Sequence, residues 1–309
     1  MGMRVFLTGA SGYLGSVLVR RLAELPEVDS ITGVYNSTTP AAPSPPKVEY
    51  VKLDLRSPDM ARAMVGHDVV VHSAFIVLWR AGMPAHTRTD ICVNGACNVA
   101  NAAVSNRVRR FVYASSVAAY GGALTPGQSD VGEDTPLGKG DAPLYYFNDK
   151  AAAEKLISGI VGPSGITLTL FRPTYITGPT DHASVKSFRD NATRFPGQDP
   201  RMQFVHEDDV ASAFTQAVRA DMPGAYNVVP DDYVRYSEML RLIGVESPRT
   251  VPVWLAHLVM HIRWRYLGSS THPAWLHPML GDVTFSNKKL RATGWAPKYT
   301  CADALRAAP

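Results

Sequence analysis

Short runs rich in Val, Ile, Phe and Tyr recur through the first half of the chain, at Arg4–Leu7, Ile31–Tyr35, Val48–Leu53, Val69–His72, Phe111–Ala114 and Thr167–Phe171. Runs this short and this apolar have no polar face to give to water, so each must be covered on both sides. Between them the apolar residues switch to helical spacing, at about residues 12–25, 58–65, 89–105 and 144–160. Strands alternating with covering helices predict an α/β fold built on a doubly wound parallel sheet. Past residue 175 the alternation loosens into shorter segments, including helical patterns over 208–219 and 254–266. The pattern predicts a sheet domain over residues 1–175 and a smaller α/β region over 176–309, some of whose segments pack back on the first.

Composition narrows the function classes. A chain of 309 residues with 46% hydrophobic content supplies a packed core, and its net charge of +4 comes from scattered Lys and Arg rather than a basic stripe. A nucleic-acid surface is not expected. Three cysteines fit neither a disulfide framework nor a zinc site and point to a reducing compartment, the cytoplasm. No charged and apolar leader precedes the first strand, and no apolar run reaches the roughly 18 residues of a membrane span, so a soluble chain is expected. The stretch "NSTTPAAPSPPK" reads as a solvated connector. His206, Glu207, Asp208 and Asp209 read as the first turn of a helix, where the dipole favours carboxylates, and His72 sits at a strand end without ligand partners at useful spacing. No metal is assigned. Trp254, Leu255, Leu258, Val259 and Ile262 share helical spacing and read as core, with a roof over an apolar ligand as the alternative.

Two stretches carry chemistry. In "RVFLTGASGYLGSVLVRRL" a strand runs through Gly9, Gly12 and Gly15 into a helix; glycines there allow a tight bend and let backbone N–H groups and the helix N-terminus approach a pyrophosphate. A dinucleotide is the expected guest. In "LYYFNDKAAAEKL" two adjacent tyrosines precede a lysine. At about 100° per residue, Tyr146 shares a helical face with Lys150 whereas Tyr145 does not. A phenol acts as a base only when its anion is stabilised, and an ammonium one turn away supplies that by Coulomb attraction. "YASS" at the end of the fifth strand adds hydroxyls at the carboxyl edge of the sheet, where open α/β folds bind ligands.

"TGASGYLG", "DLRS", "VVHSA", "FVYASSVAAYG", "YFNDK" and "RPTYITGP" stand in an order and spacing that resemble the extended short-chain dehydrogenase/reductases, which include the NAD-dependent epimerase/dehydratases. The resemblance spans nearly the whole predicted sheet domain and, more loosely, "FVHEDDVASAF", "AYNVV" and "GWAPKYT". It implies a Rossmann fold binding NAD(P), with Ser116, Tyr146 and Lys150 as the catalytic residues. Tyr146 would be the acid/base, Ser116 would hydrogen-bond the reacting oxygen, and Lys150 would also hold the nicotinamide ribose. It further implies cofactor contacts from Gly9, Ser11, Gly12, Tyr13, Leu14, Gly15, Tyr35, Asn36, Ser37, Asp54, Leu55, Ser73, Ala74, Phe75 and Pro173. Ser115 becomes a structural or cofactor neighbour, and Tyr145 lines the substrate cavity or packs behind its helix. A homodimer through the helices at 89–105 and 144–160 is implied as well.

The chain also departs from that family. At the end of the second strand, Tyr35, Asn36, Ser37, Thr38 and Thr39 include no carboxylate to repel a 2′-phosphate, which leans towards NADP. Cys92 stands where the family pattern has Asn, and Phe75 where a smaller residue is usual. Met202 occupies the position of a diphosphate-gripping arginine, with Arg201 adjacent and Arg189 and Arg194 near, and no long insertion follows the "GP" turn. The expected function is oxidation or reduction of a secondary alcohol or ketone on a small, hydrophobic molecule. A nucleotide-sugar epimerase or dehydratase is the alternative, and a cofactor-sensing regulator without catalysis a third. The segments 75–88, 121–143 and 181–200 are expected to surround the substrate.

Overall fold

The computed structural model describes residues 2–78, 82–124, 127–181, 184–269 and 271–309. Of the segments expected around the substrate, residues 79–81, 125–126 and 182–183 lie outside the described residues. Seven strands, β1 (Met3–Thr8), β2 (Val28–Tyr35), β3 (Val48–Lys52), β4 (Val69–His72), β5 (Arg110–Ala114), β6 (Thr167–Pro173) and β7 (Gly224–Val228), form one sheet in the order β7-β6-β5-β4-β1-β2-β3. Every neighbouring pair is parallel.

Alternation along each strand splits the core in two. Val5 and Leu7 of β1, Val69 and Val71 of β4, and Val112 and Ala114 of β5 face one layer; Phe6, Val70, Phe111 and Tyr113 face the other. The first layer is closed by α1 (Tyr13–Ala23) through Val17, Leu18 and Leu22. On the opposite face lie the short α2 (Met60–Ala63), then α3 (Gly95–Ser105) and α4 (Tyr145–Val161), which contribute Val99, Ala103, Ile157 and Val161. The expected helix over 89–105 begins earlier and is not uniform: an α turn at Ala85–Thr89 leads through a π turn, Asp90–Asn94, into α3. Two elements beyond residue 175 complete the sheet domain. These are β7, beside β6, and α5 (Glu207–Arg219), whose Phe214 and Val218 join α1 on the first layer. The rest builds a smaller core around Met202, Phe204, Met239, Leu240 and Leu305, with short strand pairs such as Tyr175–Thr177 beside Phe204–His206.

His206 and the acidic run after it open α5 as expected, with the imidazole accepting a hydrogen bond from the Asp208 N–H at 3.1 Å. The core reading of 254–266 is overturned. The helix forms as α6 (Val253–Tyr266), yet none of its residues is buried, and Trp254 is 68% exposed. Leu255 and Val259 instead line the main cavity, as the alternative reading had it.

Candidate active site

The strand order reverses between β1 and β4, and the loops leaving the carboxyl ends of these strands diverge to leave a crevice. The glycine turn after β1 occupies one side of it. Gly9 has φ +75°, and a side chain there would place Cβ 2.7 Å from the Ala74 backbone. A Cβ on Gly15 would lie 1.9 Å from the Gly9 carbonyl oxygen, so only glycine lets α1 start this close to the turn. Gly12, the N-cap of α1, supplies no side-chain cap, and the first turn carries no acidic residue. Its amides therefore suit an anion.

Opposite stands α4, in which Lys150 is buried. Its Nζ donates to the carbonyl of Ala114, the last residue of β5, at 2.7 Å. The same ammonium lies 3.8 Å from the ring centroid of Phe75, 5.1 Å from that of Tyr113 and 5.9 Å from that of Tyr146. The large residue at 75 is thus the aromatic face on which Lys150 rests. After β5 the chain turns, and its two serines part. Ser115 donates to the buried Glu154 carboxylate and also lines the main cavity. Ser116 caps the following turn, accepting from the Ala118 N–H at 3.1 Å, its hydroxyl donates to the Pro173 carbonyl at 3.4 Å, and it lines the same cavity as the Tyr146 phenol.

Burial pushes the Tyr146 phenol up to about 12, against the smaller downward pull of Ser116. Burial also pushes Lys150 down to about 7. Among the chain's own groups desolvation therefore outweighs the expected help from the ammonium: tyrosine and lysine share a face, but the phenol stays protonated. Cys92 is buried in the π turn, its sulfur accepts from the Ile76 N–H at 3.3 Å, and burial raises its thiol to about 11, so it is inert.

One cavity of about 1900 Å³ joins these parts. Ser116, Tyr146 and Lys150 line it, as do Gly9, Ser11, Gly12, Tyr13, Leu14, Gly15, Tyr35, Asn36, Ser37, Asp54, Leu55, Ser73, Ala74, Phe75 and Pro173. Several of these have side chains already engaged. The Tyr13 phenol donates to Glu207 at 2.8 Å, and Ser73 donates to the Thr8 carbonyl at 2.7 Å. Arg56 grips Asp54 at 2.8 and 2.9 Å and holds its carboxyl down at about 2, while Asn36 donates to the same carboxylate at 3.3 Å. Tyr145 does not line the cavity; it packs behind α4, its hydroxyl donating to the Val77 carbonyl at 3.0 Å and its ring under the Arg88 guanidinium at 4.1 Å.

Three aromatic residues were not singled out from the sequence. Trp275 lies 5.6 Å from the Tyr146 ring and Phe147 6.4 Å from it, and Tyr175, inside the quoted "RPTYITGP", also lines the cavity. Trp275 carries no local signal beyond the proline-flanked "HPAWLHP". Behind the site, Arg172 ion-pairs with Glu154 and donates to Tyr120 at 3.0 Å, and Tyr120 donates to Asn227 at 2.7 Å. This buried network braces β5, β6 and β7 beneath the serines. Arg201 is paired with Asp282 at 3.0 Å, Met202 is buried, and Arg189 donates to the carbonyls of Ile243 and Pro309.

The model of the NAD dependent epimerase/dehydratase family matches residues 5–229. The chain belongs to that family. Its members are NAD-dependent enzymes, dehydrogenases and reductases among them. It is 30% identical to a 3-beta-hydroxysteroid dehydrogenase of Mycolicibacterium neoaurum, over 98% of this chain and 89% of that protein. It is 27% identical to vestitone reductase of Medicago sativa, over 79% and 82% of the two. The fold matches a UDP-glucuronic acid 4-epimerase from Bacillus cereus, solved with NAD, at a TM-score of 0.76 and 17% identity, covering 99% and 97% of the two chains. This family member's glycine turn, uncapped helix start and adjoining crevice fit a nicotinamide dinucleotide.

Proposed function

We propose that the protein is an NAD(P)-dependent oxidoreductase that interconverts a secondary alcohol and a ketone on a small apolar molecule. The observation that carries this reading is one cavity lined together by Ser116, Tyr146, Lys150 and the glycine turn. When bound, the nicotinamide takes up or gives the hydride. Ser116 and Tyr146 hold the substrate oxygen between two hydroxyls; Tyr146, protonated at neutral pH, gives its proton to the oxygen during reduction and, once ionised to the phenolate, takes one from the alcohol during oxidation. Lys150, fixed by the Ala114 carbonyl, steadies the charge that the phenol acquires and reaches the ribose beside it. Phe147, Trp275, Leu276, Met279, Leu255 and Val259 favour an apolar body at the far end.

Incubation with cofactor and a panel of apolar secondary alcohols and ketones tests the reading. The expected outcome is a net change at the nicotinamide absorbance band. Tight cofactor binding with no net conversion, together with epimerisation of a nucleotide sugar, overturns it in favour of the epimerase reading. That alternative draws on Arg249 and Arg263, which line the far end and form no ion pair among the described residues. Asn36, Ser37 and Thr38, which line the cavity just past β2, carry no carboxylate of their own, which supports NADP; titration against NAD tests this directly. A reducing, cytoplasmic setting accords with three free cysteines. Pairing of two copies through α3 and α4, where Leu156 is 45% exposed, is checked by sedimentation.

A further inference from the structure

The helix α6 inverts the rule for a surface helix. Leu258 and Ile262 lie at the centre of its outward face, flanked by Trp254 and Tyr266; Val259 stands at the edge of that face towards the cavity, and Leu267 follows the helix end. These side chains are between 44% and 72% exposed. Most lone apolar residues on a surface need no account, but four on one helical face, with Val259 at its edge and Leu267 past its end, form a patch of the kind that marks an interaction site.

The charges around the patch choose the partner. From residue 247 to 281 the sequence holds Arg249, Arg263 and Arg265 and not one Asp or Glu. Both Arg263 and Arg265 are exposed, and Arg265 projects from the outward face itself. Long basic side chains at the rim of an apolar face place their stems along hydrocarbon and their heads among anionic groups. A second copy of this chain seated by a two-fold axis would set the same arginines against each other. At 14 residues the helix is too short to cross a bilayer and suits lying in its surface; no helix among the described residues is long and apolar enough to span one.

We propose that α6 is a docking surface for an anionic lipid bilayer. The inner side of the helix gives Leu255, Ala256 and Met260 to the main cavity, so docking sets the cavity against the lipid. Exposed Val77 and Leu78 line the cavity beside it; Tyr145 bridges the Val77 carbonyl and His272, whose ring lies 4.7 Å from that of Trp264 in α6. The proposal holds for any substrate of the reaction above.

The test is sedimentation of the full chain with phosphatidylcholine vesicles, with and without phosphatidylglycerol. Wild type is expected to sediment with the anionic vesicles only, and less as salt is raised. Arg265→Gln lowers partitioning about fivefold, and Leu258→Glu with Ile262→Glu abolishes it. Neither Leu258 nor Ile262 lines the cavity, so unchanged cofactor binding certifies the fold of that variant. Wild type left in the supernatant with both vesicle types, or a double variant that sediments like wild type, overturns the proposal. So does a wild-type dimer that ignores vesicles and dissociates in the double variant, because a second copy then covers the face.

Discussion

Two helices of similar length break the inside-outside rule in opposite directions. In α4 the charged residues Asp149, Lys150 and Glu154 are buried, whereas α6 turns Trp254, Leu258 and Ile262 towards solvent. The buried charges each have a partner: Asp149 holds Arg88 at 2.8 Å, Lys150 holds the Ala114 carbonyl at 2.7 Å, and Glu154 holds Arg172 and Ser115. Burying a charge is costly unless it is paired and hydrogen-bonded, so α4 is committed to one geometry. Exposing an apolar side chain costs little in the folded chain, so α6 is free to meet something else. The difference separates a helix that builds a site inside the fold from one that presents a surface outside it.

The comparison breaks first at Tyr146. Tyr146→Phe is expected to lower kcat by about 10²–10⁴-fold, while Tyr145→Phe, which alters packing behind α4, keeps kcat near wild type. Similar rate constants for Tyr146→Phe and wild type would remove α4 from the chemistry. Next comes the buried network. Glu154→Gln leaves the Arg172 guanidinium without its carboxylate and is expected to cost about 3–5 kcal/mol in denaturant unfolding. A loss below about 1 kcal/mol would mean that the pair is dispensable.

Lys150 sharpens the contrast through pH. Its folded pKa of about 7 lies below the ordinary lysine value of 10.5, so between these limits the unfolded chain binds more protons and stability rises with pH. Below pH 7 both states are protonated and the cost of burying the charge is fully present. The climb is about 1.4 kcal/mol per pH unit inside the window, and Lys150→Met is expected to lack it. His72 does the same at lower pH, because burial and the nearby Lys150 push it from 6.5 down to about 3. Stability should fall as pH drops from 6.5 towards 3, and His72→Asn should fall less steeply across that window in urea titrations. The smallest effect belongs to α6: Trp254→Ser is expected to change unfolding stability by no more than about 0.5 kcal/mol. A larger loss would restore the helix to the core.

Much of the site was legible because it is written in local spacing. The glycine turn follows a strand by three short steps, and Tyr146 and Lys150 stand one helical turn apart, so a few residues suffice to place them. The cavity brought together every residue expected at the cofactor and the reaction centre. Trp275, 129 positions from Tyr146 in sequence, had no such marker, and neither did the return of Gly224–Val228 to the sheet beside β6. The Cys92 thiol took a buried place in a π turn that no periodicity announces.

The sequence alone determined the alternating strands and helices, the sheet that follows from them, and which tyrosine can act with the lysine, because those depend on periodicity within one element. Only the tertiary structure decided which face of α6 meets water, which serine turns to Glu154 and which caps the turn after β5, and how burial moves the phenol and the amine in opposite directions. These depend on what distant segments place nearby, and side-chain environment is set by packing across the chain rather than by spacing along it.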